Sequence, residues 1–146
     1  DDLFLEHIKD LIKKLLLAEK INDPRISCYG YKEIRYTQYH VKNFFEYLEF
    51  LKKVFPKVAF IFNTRNHDDI VMSGWWSKMD SDQVRKAVID LETKFQIYCK
   101  NNNNAYSISY EDLISKSDKL RTMYKFLGAK YNTLKIDRIL KTKHGY

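Results

Sequence analysis

A short apolar run in the middle of the chain most constrains its fold. Val58 to Phe62 is β-branched and aromatic, and it lies between Pro56 and the polar triplet Asn63-Thr64-Arg65. A run of this length without polar alternation is typical of a strand covered on both faces, as in a parallel sheet. Ligands of open parallel α/β sheets bind where the strands end. Arg65 therefore lies where a ligand is expected.

The rest of the chain alternates between helical and strand-like patterns. We predict helices over about 2–20, 37–55, 67–78, 82–100, 117–127 and 133–141, and further strands over 25–36 and 106–110. Pro56 closes the second helix, Ser81 is expected to cap the fourth, and Gly128 ends the fifth. Strands separated by helices favour a parallel sheet. The predicted fold class is α/β, a three-layer arrangement with a short parallel sheet flanked by helices, in one domain over residues 1–146.

Arg65 and Ser73 form the first candidate binding site. The serine follows the arginine by eight positions, about two turns of helix. A guanidinium supplies a fork of donors and a hydroxyl a single donor, which together suit one phosphate group. A surface arginine and an ordinary helix serine explain the same spacing, so the spacing by itself leaves both interpretations open.

The segment from Phe55 to Trp76 resembles the carbohydrate-type sulfotransferases that use 3′-phosphoadenosine 5′-phosphosulfate (PAPS). In that family a strand after Phe-Pro ends in an arginine, and a serine eight residues later helps it to hold the ribose 3′-phosphate. Three further segments match in the family's order, namely YGYKEIRY (29–36), YSISYEDL (106–113) and FLG (126–128). The resemblance extends from about Ile26 to the end of the chain.

The resemblance implies roles for residues of the nucleotide site. Arg65 and Ser73 would hold the 3′-phosphate of PAPS, the co-substrate, and no metal is implied. Tyr110 corresponds to the tyrosine that the family places against the adenine, where ring stacking favours an aromatic side chain. Its alternative is a core aromatic in a chain with 11 tyrosines. Lys143 is a candidate remnant of the basic C-terminal loop that contacts the same phosphate.

The resemblance also implies catalytic residues. Sulfuryl transfer needs aligned reactants, a base for the acceptor hydroxyl and positive charge near the departing phosphate. Glu33 would take the acceptor's proton and Lys32 would lie near the sulfonate, although strand alternation points them to opposite faces unless the strand ends there. The alternative for Glu33 is an ion pair, for example with Arg35. His40 is the second candidate base, because histidine titrates near neutral pH, and His67 is interpreted as a loop residue.

One part of the family's pattern is missing. The family begins with a strand and a short Gly/Ser/Thr loop whose backbone amides cradle the 5′-phosphosulfate. The four glycines of this sequence form no cluster, and no such loop precedes the first predicted helix. The chain therefore resembles the later portion of the P-loop-containing sulfotransferase fold, lacking its first strand. Either truncation or true loss of the loop explains this.

Composition indicates which chemical class of partner the chain binds. The net charge of +7 and the pI of about 9.3 favour an anionic ligand. The lysines occur in every segment rather than in one block, which is usual for a solvated face, and without a recognised motif we expect no nucleic-acid binding. Cys28 and Cys99 lack the spacing of metal ligands and are expected to be buried thiols.

Localisation rests on the absence of a long apolar run. The longest, Val58 to Phe62, has five residues, far below the roughly 20 residues that span a bilayer. We expect no membrane segment in this chain and a cytoplasmic protein, or a Golgi or other membrane-anchored one if a preceding segment carries an anchor.

Three functional hypotheses follow. The first is a PAPS-dependent sulfotransferase that modifies a hydroxyl of a glycan or small metabolite, with this chain supplying the 3′-phosphate and adenine side of the site. The second is a non-catalytic interaction module with the same fold. The third is a kinase-like or other nucleotide-binding α/β protein that responds to ATP and magnesium. The acceptor stays open, because acceptor pockets are built from variable loops.

Overall fold

The structure is a computed structural model that describes residues 2–33 and 43–142. Its helices and strands are α1 (Asp2–Leu17), α2 (Phe44–Val54), β1 (Phe60–Thr64), α3 (His67–Val71), α4 (Ser81–Asn101), β2 (Ala105–Ser109), α5 (Tyr110–Ile114), α6 (Asp118–Phe126) and α7 (Thr133–Lys141). Short 3₁₀ turns cover Ala18–Lys20 and Gly74–Lys78. The chain divides into two compact units, Asp1–Val58 and Ala59–Tyr146.

The first unit contains α1 and α2, both of which the helical periodicity predicted. α2 buries one apolar stripe at helical spacing, made of Phe44, Leu48, Leu51 and Val54, whereas α1 buries no residue completely. Among the helices of the described residues, none is long and apolar enough to cross a membrane.

The strand predicted over 25–36 is wrong for the part that the structure describes. Residues 25–33 are irregular, and 34–36 lie outside the described residues. A strand needs a neighbour to satisfy its backbone groups, and the only described sheet pairs β1 with β2. The tyrosines of this segment pack on side chains instead, with the Tyr29 ring edge-on to Phe55 and the Tyr31 hydroxyl 2.6 Å from that of Tyr47.

The second unit is organised around a parallel pair of strands. β1 and β2 pair in register from Phe60 opposite Ala105 to Thr64 opposite Ser109, which confirms the predicted parallel sheet. Phe60 and Phe62 are buried, and they pack against aromatic rings of α4. The closest contact is the stack of Phe62 on Phe95, whose ring centroids are 4.4 Å apart.

Helices cover the opposite face of the sheet as well. Ile108 of β2 is buried with Leu120 of α6 and Ile136 of α7, and Ile61 of β1 packs against this cluster. The apolar run around β1 is thus covered on both sides, as its composition predicted. The outcome is a mixed α/β unit, mostly helical, with a short two-stranded parallel sheet.

Several local predictions need correction. The helix expected over 67–78 ends at Val71, and Gly74, with φ of +48°, begins the 3₁₀ turn. Asp80 rather than Ser81 caps α4, because its carboxylate accepts the backbone N–H of Gln83 at 2.9 Å. Neither cysteine is fully buried. Cys28 is exposed, and partial burial raises the pKa of the Cys99 thiol.

Gly128 ends α6 in the left-handed region, with φ of +62°. Its N–H donates to the carbonyl of Lys125 at 3.0 Å, and the N–H of Ala129 donates to that of Tyr124 at 2.9 Å. This is the Schellman pattern, in which glycine avoids the penalty that a Cβ incurs at positive φ.

We predict that Gly128→Ala lowers the free energy of unfolding by about 1 kcal/mol, because a side chain is strained at this φ. Gly30→Ala is the matched control. Nothing lies within 4 Å of a Cβ built at either position, so the two sites differ in φ and not in available space. Urea denaturation of both variants measures the difference, and equal stabilities would contradict the assignment.

Candidate functional site

The carboxyl ends of β1 and β2 bring two predicted site residues together. The last paired residues are Thr64 and Ser109, so Arg65 and Tyr110 follow at the same edge of the sheet. The guanidinium carbon of Arg65 lies 4.8 Å from the centroid of the Tyr110 ring, a cation–π contact. Tyr110 is 40% exposed, so its ring is accessible to solvent rather than part of the core.

The guanidinium of Arg65 is only partly satisfied within the chain. One terminal nitrogen donates to the carboxylate of Asp69 at 3.4 Å, and the two side chains are 39% and 47% exposed. A long, exposed pair of this kind stabilises little. The Nε–H is buried and has no hydrogen-bond partner in the described part of the chain. A buried unpaired donor is unfavourable by about 1–3 kcal/mol, and an acceptor that reaches it after a rotation of the Arg65 side chain would relieve it.

The turn after β1 is fixed by a cap and a cross-link. The side chain of Asn66 accepts the N–H groups of Asp68 at 2.9 Å and Asp69 at 3.3 Å, which starts α3. The backbone N–H of Asn66 donates to the carboxylate of Glu111 at 3.1 Å. This bond lowers the pKa of Glu111. Glu111 follows β2, so this bond joins the turn after β1 to the turn after β2. It thereby orients Asn66, the neighbour of Arg65 in the chain.

Ser73 lies at the far end of α3 from Arg65. It follows Met72, the C-terminal cap residue of α3, and its hydroxyl donates to the carbonyl of Ile70 at 2.9 Å. No hydrogen bond joins Ser73 to Arg65, and the five residues of α3, which rise by about 7.5 Å along the helix axis, lie between them. That the two residues share one phosphate remains a prediction.

Three aromatic side chains in or just after α3 have partners in the second unit, namely His67, Trp75 and Trp76. His67 is the first residue of α3, not a loop residue as predicted, and its Nε2 lies 2.8 Å from the carboxylate of Glu92 on α4. Trp75 and Trp76 stack on each other with centroids 4.0 Å apart. The contact of His67 with Glu92 and the packing of Trp76 on the cluster that contains Val84 and Val88 hold α3 and the following turn against α4.

The predicted catalytic residues lie in the first unit or outside the described residues. Lys32 and Glu33 are in the irregular segment after α1, where Lys32 is exposed and Glu33 is half-buried. His40 lies outside the described residues, and so does Lys143, the predicted contact of the 3′-phosphate. The roles of all four remain predictions.

Asp112 organises the start of the segment after β2. Its carboxylate accepts hydrogen bonds from Lys119 at 3.0 Å and from the hydroxyls of Ser109 and Ser117, both at 2.9 Å. The ammonium of Lys119 is the main reason that the pKa of Asp112 falls from 3.8 to about 2. Asp112 therefore joins α5 to the beginning of α6, and its role is structural.

We predict that this carboxylate makes stability depend on pH in the acid range. Because its pKa is lower in the folded protein, its contribution is present above pH 3.8 and is lost as the pH falls through about 2. Asp112→Asn should therefore be less stable than wild type near neutral pH, and the difference should shrink between these two values. Chemical denaturation across this range measures the difference, and a gap that stays constant with pH would contradict the assignment.

Sequence reasoning missed Glu111 and Asp69, the two carboxylates beside Arg65. The pattern Asn66-His67-Asp68-Asp69, an amide cap followed by acids, was the available signal for the start of α3. Nothing local pointed to the bond between Asn66 and Glu111, which are 45 positions apart. Among the described residues, no group of three or more histidine, cysteine or acidic side chains could hold a metal ion.

Comparisons of the chain with models of protein families, with curated proteins and with solved structures find no match. The chemistry of the strand-end site therefore has to follow from its own residues. An exposed tyrosine ring beside an arginine with an unsatisfied donor suits an organic anion with an aromatic part.

Proposed function

We propose that this chain is the nucleotide-binding portion of a PAPS-dependent sulfotransferase that modifies a hydroxyl of a glycan or small metabolite. The observation that supports the proposal most is Arg65, whose buried Nε–H has no acceptor among the described residues while its guanidinium lies over Tyr110. In the proposal Arg65 binds the 3′-phosphate and Tyr110 contacts the adenine.

The interaction free energies favour a phosphate over Asp69 as the partner of Arg65. The Arg65–Asp69 pair is long and half-exposed, and such pairs contribute about 0–1 kcal/mol. A hydrogen bond to a charged group contributes about 1.5–3 kcal/mol, and a phosphate accepts two such bonds from one guanidinium. The gain from binding therefore exceeds the loss of the internal pair, even with the negative charge of Glu111 nearby.

Ser73 has the weaker role in this proposal. A serine hydroxyl donates one hydrogen bond at a time, and that of Ser73 is directed to Ile70. To donate to a phosphate it has to rotate away from this carbonyl. Arg65 therefore carries most of the binding, and Ser73 contributes after ligand entry.

The proposed reaction keeps the roles that the family resemblance implies for Glu33 and Lys32. The acceptor oxygen attacks the sulfur of PAPS, the bond from sulfur to the bridging phosphate oxygen breaks, and 3′,5′-bisphosphoadenosine leaves. Glu33 takes the proton of the attacking hydroxyl, and Lys32 neutralises charge that develops on the sulfonate.

We expect 3′,5′-bisphosphoadenosine to raise the melting temperature of the intact protein. At a hundredfold excess over Kd the ligand stabilises by about 2.7 kcal/mol, which corresponds to a rise of roughly 5–10 °C for a chain of this size. Arg65→Ala should abolish most of this rise, because it removes the phosphate donors. Thermal denaturation with and without the ligand measures it.

Arg121→Ala is the matched control for this test. Arg121 also covers a tyrosine ring in the second unit, at 4.5 Å from the centroid of Tyr131, but it lies on α6 and not at the strand ends. It should retain the full ligand shift. Equal losses in the two variants, or no shift in the wild type, would contradict the proposed nucleotide site.

We further expect Glu33→Gln to reduce sulfuryl transfer strongly. The rise in melting temperature that 3′,5′-bisphosphoadenosine causes should be retained in this variant. General-base catalysis contributes about 10²–10⁴-fold, so transfer of labelled sulfate from PAPS to a hydroxyl acceptor should fall by at least about a hundredfold. Glu46→Gln, which changes an exposed glutamate of the same unit, should leave the rate unchanged. A Glu33→Gln variant with wild-type turnover would show that another group is the base.

A non-catalytic module is the second candidate function. It is favoured by the internal hydrogen bonds that Arg65 and Ser73 already make, to Asp69 and Ile70 respectively. This alternative predicts no melting shift with 3′,5′-bisphosphoadenosine. A shift with ATP and magnesium but not with this ligand would instead indicate a kinase-like protein.

A further inference from the structure

Acidic and basic residues are distributed differently along the chain. The first 115 residues contain 17 acids and 17 lysines or arginines, so this part carries no net charge. Residues 116–142 contain eight lysines and arginines but only two acids, Asp118 and Asp137. Six of the seven net positive charges of the chain therefore lie in the segment that contains α6 and α7.

The cations of this segment are exposed, and most of them are unpaired. Lys116 pairs with Asp137 at 2.6 Å and Lys119 with Asp112 at 3.0 Å. The other six make no ion pair with any residue that the structure describes, and they are Arg121, Lys125, Lys130, Lys135, Arg138 and Lys141. Uncompensated positive charge of this density attracts an anionic partner.

A large apolar side chain lies among these cations. Leu134, in the first turn of α7, is 82% exposed, the largest exposure of any bulky apolar residue that the structure describes. Helical spacing places Leu134, Arg138 and Lys141 on one side of α7, whereas Ile136 is buried in the core cluster with β2 and α6. The side of α7 that carries Arg138 and Lys141 is thus basic with Leu134 at its start, and Ile139 and Leu140 are exposed elsewhere on the same helix.

This combination distinguishes between anionic partners. An RNA or an acidic polysaccharide would neutralise the cations but would leave Leu134 in water or against polar groups. In addition, Arg121 covers the ring of Tyr131, so that face of the ring is unavailable for stacking with a base. A bilayer that contains anionic lipids matches both features, because its headgroups attract lysine and arginine and its acyl region accepts leucine.

We propose that α6 and α7 form a surface that docks on anionic membranes. The cations lie against the lipid headgroups, and Leu134 inserts between the headgroups toward the acyl region. Binding of this kind is peripheral and reversible, because it uses a few charges and one apolar side chain rather than a spanning helix. The inference does not depend on the proposed nucleotide site, since Arg65 and Tyr110 belong to the strand ends and not to these helices.

The first test compares two triple variants that lose the same charge from the same unit. Lys135→Gln/Arg138→Gln/Lys141→Gln changes α7, and Lys78→Gln/Lys86→Gln/Lys100→Gln changes exposed lysines outside residues 116–142. Co-sedimentation with phosphatidylcholine vesicles, with and without phosphatidylserine, measures binding. We expect binding of the wild type only when phosphatidylserine is present. Affinity should fall by roughly a hundredfold in the α7 variant, since each cation contributes about a fivefold factor, and by less than about threefold in the control.

The second test separates a membrane from other polyanions. Leu134→Ser keeps every charge, so it should lower vesicle binding by about three- to tenfold while retention on immobilised heparin and binding of single-stranded RNA stay unchanged. Equal losses in the two triple variants, or wild-type vesicle binding by Leu134→Ser, would overturn the proposal. The latter result together with tight heparin or RNA binding would assign the surface to that polyanion instead.

A further triple variant shows whether a loss of vesicle binding comes from the removed charges or from misfolding. Arg121→Gln/Lys125→Gln/Lys130→Gln removes three cations from α6 and the connection to α7, and it should weaken vesicle binding like the α7 variant. The melting temperature of each variant, measured without vesicles, reports on folding. A ligand shift with 3′,5′-bisphosphoadenosine that persists in all of them would show that the two sites are independent, and its absence in the wild type would leave the membrane result intact.

Discussion

The parallel pairing of β1 with β2 is the interaction on which the second unit depends. It fixes a register in which Phe60 and Phe62 face α4 while Ile61 and Ile108 face α6 and α7. A shift by one residue would exchange these faces and place the aromatic rings toward α6 and α7 instead of α4. The same register ends both strands at one edge, so the residues that follow them become neighbours. The core and the candidate site therefore have one common cause.

The basic character of the chain has two different physical origins. At the strand ends the Arg65 guanidinium pairs with Asp69 and lies over Tyr110, and its importance comes from this geometry and from a donor without a partner among the described residues. Along α6 and α7 the cations are numerous and exposed, and most of them form no ion pair with a residue that the structure describes. Their importance comes from their number. A site of the first kind selects one small anion, whereas a surface of the second kind attracts an extended one. The net charge alone does not separate the two.

Elements with a strong local pattern were predictable. Helical periodicity gave α1, α2, α4, α6 and α7, and the unbroken apolar run gave β1. The predictions failed where the outcome depended on a partner. Residues 25–33 have strand-like composition without a strand beside them among the described residues, and α3 stops at Val71, short of the predicted helix end. The cap of α4 is Asp80 instead of Ser81, because the carboxylate one position earlier reaches the backbone N–H of Gln83.

The sequence by itself determined which segments are apolar or charged, and therefore that Arg65 follows a buried strand and that the acids are scarce after residue 115. Such properties depend on residues close together in the chain, and a periodic pattern records them directly. Only the tertiary structure decided that Arg65 lies over Tyr110 and that Glu111 binds the backbone of Asn66. These contacts join residues about 45 positions apart, and only the pairing of two strands brings them within reach.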